Sequence, residues 1–331
     1  MSKIKLFTHT DLDGIGCAIL AYLAFGRESV DVEYCDYGDI NEKVEEFWDD
    51  PELEAYDYIF ITDISIKEKL AIHITNEASE PRVLLFDHHA TALGLNKYDW
   101  CEISVMNDTL GIKTSGTELF YNYLRRHEQF DHLSVNVIGN IDEFVDIVRD
   151  YDTWRWKELG KEGIVCKQMN DLFYIYGREV FIDWALDQIL TLKFYRGISA
   201  FPIYSEKDMA LLDQKQKDID TYIEEKNKQL FHRVDEVGHT YGVVFAERYF
   251  SELGNRLCEI NPDLAYIAMI DISSGTVSYR TIRDDIDVGG EIAHAYGGGG
   301  HPKAAGSTFD KDQIQCTVHG LIFSDKQHNE L

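Results

Sequence analysis

Three short apolar segments in the first ninety residues each run directly into aspartate or histidine. The segments are residues 4–8, 58–62 and 82–86, and the residues that follow them are His9, Asp63 and Asp87. Their length and their β-branched and aromatic members predict buried strands. Helical patterns separate them, and this alternation predicts a parallel, doubly wound α/β sheet with right-handed crossovers. Because functional groups gather at the carboxyl ends of such strands, we expect these polar residues to meet at one edge.

The turn after the first strand carries three polar residues at alternate positions, namely His9, Asp11 and Asp13. An extended backbone places alternate residues on one face. A mostly buried helix is predicted over residues 14–25, and an N-cap role would explain one of the aspartates. It does not explain three aligned groups, so the spacing indicates metal ligands.

Two more places carry the same residue types. Asp87, His88 and His89 follow one another at the end of the third strand segment, and Asp150 and Asp152 stand among aromatic residues after a predicted helix. Adjacent histidines are often a solvated surface pair, and an aspartate beside arginine is often a surface ion pair. Neither segment alone indicates metal ligands, so the metal interpretation depends on finding the same residue types in several segments that we expect to meet.

The acceptors together predict a site for two divalent ions. The candidates are His9, Asp11, Asp13, Asp63, His88 and Asp152, with Asp150 and His89 in reserve. A structural zinc takes four ligands and favours Cys and His, so this set is too large and too rich in carboxylates for one. It suits two ions about 3.5–4 Å apart that serve in-line attack on a phosphoester. Mixed oxygen and imidazole ligands favour Mn²⁺, with Mg²⁺ or Co²⁺ as alternatives.

The charge of the chain restricts its partners. With 59 acidic and 32 basic residues, the net charge is -27, which repels long nucleic acid. A small anionic substrate remains compatible where metal ions or local cations reverse the sign. Six cysteines without C-x-x-C spacing argue against a disulfide framework. There is no signal-peptide pattern and no apolar stretch of membrane-spanning length, so we expect a cytoplasmic protein that does not contact a membrane.

The second half of the chain predicts a connector and a smaller α/β domain. Residues 205–231 have one apolar helical face, which is typical of a helix between two domains. Strands are predicted over residues 241–246, 264–271 and 276–282, the last two as a hairpin. We therefore predict three parts, namely a catalytic domain over 1–190, a helical linker over 191–235 and a substrate-binding domain over 236–331.

A run of four glycines, Gly297 to Gly300, precedes His301 and Lys303. The run lacks the Gly-Lys-Ser/Thr of a P-loop, and glycine runs are usually flexible loops. With basic side chains after it and Arg280 upstream, we interpret it as an anion clamp whose backbone amides approach a phosphate or ribose.

Taken together, the motifs resemble those of the DHH/DHHA1 phosphoesterases, the superfamily of RecJ exonuclease, nano-RNases, cyclic-dinucleotide phosphodiesterases and inorganic pyrophosphatases. The resemblance covers nearly the whole chain. The residues that match the four DHH motifs are His9-x-Asp11-x-Asp13-Gly14, Asp63, Asp87-His88-His89 and Asp150-x-Asp152. Those that match the DHHA1 signature are Gly298-Gly299-Gly300-His301 and Ala304-Ala305-Gly306. The resemblance implies a parallel-sheet DHH domain, a helical linker and a smaller α/β DHHA1 domain.

The resemblance also implies a role for each matched residue. One ion would be held by His9, Asp11 and Asp63, and the other by Asp13, Asp63, His88 and Asp152, with Asp63 bridging. Asp87 and His89 would orient the ligands or touch the scissile phosphate. The far nucleotide would be held between the domains by Arg280, the amides of Gly298, Gly299 and Gly300, and His301. Asp150 and Asp152 compete for one role, and we favour Asp152 because Thr153 follows it.

The order of the domains resembles that of the nano-RNases, which degrade short RNA from the 3′ end and in some cases dephosphorylate pAp. We therefore expect Mn²⁺-dependent hydrolysis of short oligoribonucleotides, with Tyr151, Trp154 or Trp156 stacking a base. For at least one of these aromatic residues, packing in the core is the favoured role. The first alternative is a phosphodiesterase for cyclic dinucleotides of the c-di-AMP type or for linear dinucleotides. The second is a nucleotide-binding regulator without activity. A monomer and a homodimer are both compatible with the sequence.

Overall fold

A computed structural model describes residues 3–77, 82–191, 201–314 and 316–317 of the chain. The chain divides into two compact units, Met1–Leu212 and Asp213–Leu331. This division falls inside the predicted linker, whose residues 192–200 lie outside the described part. The predicted domain boundaries after residues 190 and 235 stay predictions.

The first unit contains a five-stranded parallel sheet. Its strands are β1 (Ile4–His9), β2 (Val30–Cys35), β3 (Tyr58–Thr62), β4 (Val83–Asp87) and β5 (Cys101–Ile103). Their order is β2-β1-β3-β4-β5, with every neighbouring pair parallel. The predicted doubly wound sheet is therefore confirmed. The order reverses beside β1, so the carboxyl ends of β1 and β3 form the switch point at which such sheets place their sites.

Helices cover both faces of this sheet. They are α1 (Leu12–Phe25), α2 (Ile40–Trp48), α3 (Glu68–Glu77), α4 (Gly116–Arg126), α5 (Val135–Asp152), α6 (Lys161–Tyr176) and α7 (Arg178–Thr191). Along β1, Leu6 packs into the core beneath α1, α4 and α5, whereas its neighbour Phe7 packs into the core beneath α2 and α3. This alternation is the two-residue period of a strand buried on both faces. A two-stranded ribbon, β6 (Met106–Asn107) and β7 (Ile112–Lys113), precedes α4.

The helix before the fourth motif, which the sequence predicts over residues 134–148, is longer than expected. It continues through Asp152, where Thr153 caps it and donates its hydroxyl to the carbonyl of Arg149 at 2.8 Å. Arg149 is 4% exposed, so the last turn of α5 is buried rather than frayed. Both aspartates of the fourth motif therefore lie on a helix, and not on an extended segment after it.

The second unit contains most of α8 (Glu206–Gln229), α9 (Phe250–Ile260) and a six-stranded sheet. The strands are β8 (Phe231–Val234), β9 (Thr240–Phe245), β10 (Ile267–Asp271), β11 (Thr276–Arg280), β12 (Gly299–His301) and β13 (Ala304–Thr308). Their order is β12-β13-β11-β10-β9-β8. The predicted hairpin is present as the antiparallel pair β10 and β11. A π-helical segment, Val288–Ala293, lies where the sequence predicts a short helix over residues 288–296.

The glycine run is not the flexible loop that glycine runs usually form. Gly299–His301 is an edge strand, β12, and it pairs antiparallel with β13. The lack of side chains lets other backbone approach closely: a Cβ on Gly298 would lie 2.1 Å from the carbonyl oxygen of Gly306. The run therefore serves sheet packing, which the spacing of its residues did not predict.

None of the helices within the described residues is long and apolar enough to cross a membrane.

Candidate metal centre

The first group of candidate ligands lies where β1 turns into α1. His9 ends the strand and Asp11 caps the helix, accepting a hydrogen bond from the amide of Gly14 at 3.1 Å. The Nδ1 atom of His9 lies 3.0 Å from Asp11 Oδ2 and 3.7 Å from Asp63 Oδ2. The turn needs glycine at position 14, because a Cβ there would lie 2.2 Å from the carbonyl oxygen of His9.

The second group surrounds the other histidine. His88 Nε2 lies 3.3 Å from Asp63 Oδ1, 3.5 Å from Asp152 Oδ2 and 3.7 Å from Asp13 Oδ2. Asp63 thus turns one oxygen toward His88 and the other toward His9. A single carboxylate lies between the two groups, as a bridging ligand would.

The backbone of Asp63 is held in an unusual conformation. The residue directly follows β3 with φ 58°, in the left-handed region, and its amide donates to the carbonyl of Phe86 at 2.9 Å. Aspartate tolerates this region better than most residues, but single residues held there store strain and cluster at functional sites. The side chain is 1% exposed. The fold therefore holds a buried carboxylate in place between the two histidines.

The first turn of α4 fixes the orientation of Asp13. The amide of Gly116 donates to Asp13 Oδ2 at 2.7 Å, and the amide of Thr117 donates to Asp13 Oδ1 at 2.9 Å. The hydroxyl of Thr117 donates to the backbone carbonyl of Asp13 at 2.6 Å. Because each carboxylate oxygen has a second lone pair, these bonds orient the group and leave it able to accept further.

Asp87, the first residue of the Asp-His-His motif, holds the two histidines that follow it. Its Oδ1 accepts from the amide of His88 at 2.8 Å and lies 2.6 Å from Nδ1 of His89, and its Oδ2 accepts from the hydroxyl of Ser65. Burial is the largest effect and opposes the charge of Asp87, but the hydrogen bonds from His89 and Ser65 and the charges of the two histidines together outweigh it and lower the pKa of Asp87. The Asp87 carboxylate in turn raises the pKa of His89, against the effect of burial. The Nε2 atom of His89 lies 3.1 Å from the hydroxyl of Tyr37.

The donor atoms fit divalent metal ions. Four side-chain atoms are buried without a hydrogen-bond partner in the described part of the chain, and three of them belong to candidate ligands, namely His9 Nδ1, Asp63 Oδ2 and His88 Nε2; the fourth is the hydroxyl of Tyr34. Burial, and then the charges of Asp13 and Asp11, raise the pKa of Asp63 and of Asp152 well above the usual value. Unpaired buried acceptors and mutually repelling carboxylates are costly unless cations lie among them. Ligand atoms within 4.8 Å of one another define the groups His9, Asp11, Asp63 and Asp13, His88, Asp152, together with Asp63, Asp87, His88, His89.

The structure separates the two aspartates of the fourth motif. Asp152 faces His88, whereas Asp150 lies 3.0 Å from Nη2 of Arg149 and 2.8 Å from Nη1 of Arg155. Two residues span about 200° of an α-helix, so both cannot face the same side. Geometry thus places Asp152, the residue favoured from the sequence, beside the other candidate ligands.

The predicted substrate-binding residues lie in the second unit. Arg280, Ala304 and His301 are in register on the adjacent strands β11, β13 and β12, so the small alanine separates the two larger side chains. Arg280 donates to the carbonyl of Tyr279 at 2.8 Å and to the hydroxyl of Ser251 at 3.2 Å. His301 is exposed. The amides of Gly299 and Gly300 lie in the edge strand, and the contact of these residues with a substrate stays a prediction.

Two basic residues near the predicted clamp form ion pairs with neighbouring aspartates. Lys303 pairs with Asp284 at 2.7 Å, and Arg283 pairs with Asp285 at 2.5 Å. The predicted clamp therefore depends on the side chains of Arg280 and His301 more than the sequence indicated.

Some residues beside the centre carry no sequence signal of their own. Tyr37 and Ser65 stand in loops after β2 and β3, with no motif spacing around them. The segment Ser115-Gly116-Thr117 has the sequence of a helix start, since serine is a common N-cap. In the structure Ser115 caps α4 by accepting from the amide of Glu118. Its contact with Asp13, more than 100 residues earlier, could not be inferred from the pattern.

Comparisons with known proteins agree with this geometry. Residues 3–145 match the DHH family, N-terminal domain. Oligoribonuclease NrnB of Bacillus subtilis (strain 168) is 38% identical over 317 residues, which cover 95% of this chain and 74% of that protein.

Two solved structures share the fold at low identity. Exonuclease RecJ bound to manganese is 16% identical, with a TM-score of 0.52 over 99% of this chain and 91% of that chain. The pGpG-specific phosphodiesterase PggH from Vibrio cholerae is also 16% identical, with a TM-score of 0.50 over 98% of this chain and 100% of that chain.

Proposed function

The chain belongs to the DHH family, and from that premise we propose that it is a metal-dependent phosphodiesterase that hydrolyses short oligoribonucleotides. The observation that carries the proposal is the position of Asp63, whose two oxygens face two separate groups of histidine and carboxylate ligands. The similarity to an oligoribonuclease extends over 95% of the chain and supports the choice of short RNA as substrate.

We assign the ligands of two ions by proximity. His9, Asp11 and Asp63 would hold one ion, and Asp13, Asp63, His88 and Asp152 would hold the other. Mixed imidazole and carboxylate donors favour Mn²⁺ over Ca²⁺, and Mg²⁺ or Co²⁺ would fit the same donors. When bound, such a pair of ions makes hydroxide available near neutral pH and neutralises charge on a phosphate group.

The chain's own residues keep this arrangement rigid. The carboxylate of Asp87 accepts hydrogen bonds from the backbone amide of His88 and from the ring of His89. The hydroxyl of Ser65 donates to the same carboxylate and fixes its orientation. Because Asp87 accepts from Nδ1 of His89, the other ring nitrogen accepts from the hydroxyl of Tyr37 when the ring is neutral. Protonation of the ring, which the raised pKa of His89 favours, turns that nitrogen into a donor toward Tyr37 or a phosphate oxygen. Preorganised donors of this kind act on developing charge without rearrangement during the reaction.

The negative net charge of the chain favours a short substrate. A chain with net charge -27 repels an extended phosphate backbone, whereas a fragment of a few nucleotides needs only local cations. We propose that Arg280, the edge strand at Gly299 and Gly300, and His301 supply such a local site for a nucleotide or terminal phosphate. The amide of Gly298, which the sequence also indicated, donates instead to the carbonyl of Ala293 at 2.9 Å.

The function is tested with 5′-labelled RNA dimers, trimers, pentamers and 24-mers, with cyclic di-AMP and with pAp, each in Mn²⁺. We expect the short RNAs to be consumed and the 24-mer to persist. Loss of cyclic di-AMP while RNA dinucleotides remain would show a cyclic-dinucleotide phosphodiesterase instead. Nucleotide binding without turnover in any divalent ion would show a regulator. Asp63→Asn is the matched inactive control, because asparagine also tolerates a positive φ.

A further inference from the structure

We infer that Trp154 is a stacking surface for an unpaired nucleobase of the substrate, beside the metal centre. This inference rests on the proposed function and adds the part of the substrate that this residue recognises. Four observations carry it: the backbone conformation of Trp154, its exposure, its position in the chain and its neighbours.

Neither the backbone conformation of Trp154 nor the exposure of its side chain stabilises the fold. Its φ is 65°, in the left-handed region that a bulky residue rarely adopts. The side chain is 51% exposed, although tryptophan is highly buried on average. A strained backbone that presents a large aromatic ring to solvent indicates a binding role, because neither feature stabilises the fold.

The position of Trp154 ties it to the metal centre. It follows Asp152 by two residues, so their Cα atoms are no more than about 7.6 Å apart. The turn between them is fixed, since the amide of Thr153 donates to the carbonyl of Arg149 at 2.9 Å and the amide of Trp154 donates to that of Tyr151 at 3.1 Å. A base on the indole would therefore lie within a nucleotide's reach of the proposed ligands.

The neighbouring aromatic residues are engaged with each other. The rings of Tyr151 and Trp156 stack, with centroids 6.1 Å apart and planes 16° apart, and both pack against the core of the first unit. Of the three aromatic residues that the sequence offered for stacking, Trp154 is the exposed one.

A cation accompanies the exposed ring. The ammonium group of Lys157 lies 4.5 Å from the centroid of the Trp154 ring. Lys157 is exposed, and it brings positive charge to the ring in a strongly acidic chain. Aromatic rings beside cations are typical of single-strand binding, in which the ring takes the base and the cation takes the phosphate. Bases in a duplex are not available for such stacking, so the contact selects single-stranded oligomers.

The test compares variants of the full-length chain. Trp154→Ala and Trp154→Gly both remove the ring, but Trp154→Gly also relieves the strained φ. Trp154→Phe keeps a ring. Glu128→Gly is the matched control, because Glu128 is also exposed with φ 58° in the same unit. We expect the thermal midpoint of Trp154→Gly to equal or exceed that of the wild type, as in Glu128→Gly.

The substrate measurements use an RNA dinucleotide and its two abasic forms, each lacking one base. KM in Mn²⁺ and the dissociation constant with Ca²⁺ in place of Mn²⁺ should rise about 5- to 150-fold in Trp154→Ala and Trp154→Gly, the range expected for one stacked base. Trp154→Phe should keep most of the affinity, and kcat should change little. One abasic dinucleotide should bind the wild type weakly, and Trp154→Gly should no longer distinguish it from the intact dinucleotide.

Unchanged affinity in Trp154→Gly, or an undiminished preference for the intact dinucleotide, would overturn the inference. If the wild type binds the dinucleotide without cleaving it, the proposed function is wrong and the affinities still decide the role of Trp154. If it binds no dinucleotide, both proposals are wrong.

Discussion

Replacing Gly116 by alanine tests how closely α4 approaches the metal centre. A Cβ at this position would lie 2.6 Å from Cβ of Asp63, 2.8 Å from its Cα and 3.0 Å from its amide nitrogen. Asp63 cannot swing away as a flexible side chain would, because its backbone is bonded to Phe86 and already has φ 58°. The helix and the carboxylate must therefore move apart.

The size of the effect follows from two opposing contributions. Forcing an extra methyl group into a packed site costs about 1–3 kcal/mol. Alanine gains at most about 1 kcal/mol over glycine from helix propensity, and less at the first position of a helix. The net loss of about 1–2 kcal/mol would lower the melting temperature by roughly 2–8 °C.

Gly116→Ala should weaken metal binding more than it destabilises the fold. The amide of Gly116 also bonds to Asp13, so a shift disturbs a proposed ligand of each ion at once. Displacing residues that orient ligands typically weakens metal affinity by about 10- to 100-fold. The stabilisation of Gly116→Ala by a fixed Mn²⁺ concentration should therefore be smaller than that of the wild type.

The assay is calorimetric unfolding with and without Mn²⁺, together with isothermal titration of Mn²⁺. Gly94→Ala is the matched control, because a Cβ there meets nothing within 4 Å and should leave both measurements unchanged. A Gly116→Ala protein with wild-type stability and wild-type Mn²⁺ affinity would refute the close contact between α4 and Asp63.

Further predictions concern individual residues. Asp152→Asn should weaken Mn²⁺ binding with little loss of stability. Asp150→Asn should instead destabilise the fold by about 1–3 kcal/mol, because Arg155 and the buried Arg149 each lose a charged acceptor, although Arg149 keeps Glu118 and Asp146. Equal Mn²⁺ affinities in the two variants would contradict this. Tyr37→Phe should lower kcat about 2- to 10-fold, the value of one hydrogen bond, with Mn²⁺ titration unchanged. The pKa of Asp63 is raised, so in the metal-free folded protein its carboxyl keeps a proton that the unfolded chain releases. The contribution of Asp63 to the free energy of unfolding should therefore fall as the pH rises above about 4. Melting curves measured across this pH range should lose the trend when Mn²⁺ is present. His301→Ala should raise KM for RNA dimers while Mn²⁺ stays bound, and release of Mn²⁺ would contradict the assignment.

Much of the first unit was predictable from sequence, because its strands and helices have strong local patterns. The sequence predicts a strand over residues 58–62 and an amphipathic helix over residues 40–48, and these coincide with β3 and α2 as the structure has them. Short elements were not predictable: β5 has three residues, and β12 is built from glycine and histidine. Such segments acquire strand conformation from their neighbours rather than from their own propensity.

What the sequence determined by itself is that polar residues end several strands of a parallel sheet, since right-handed crossovers bring all such ends to one edge. Only the tertiary structure decided how they meet. It set Asp63 between two histidines, turned Asp152 rather than Asp150 toward them, and placed the first turn of α4 on Asp13. These contacts join residues as many as 104 positions apart. Their geometry depends on packing between helices and sheet, which no local pattern in the chain records.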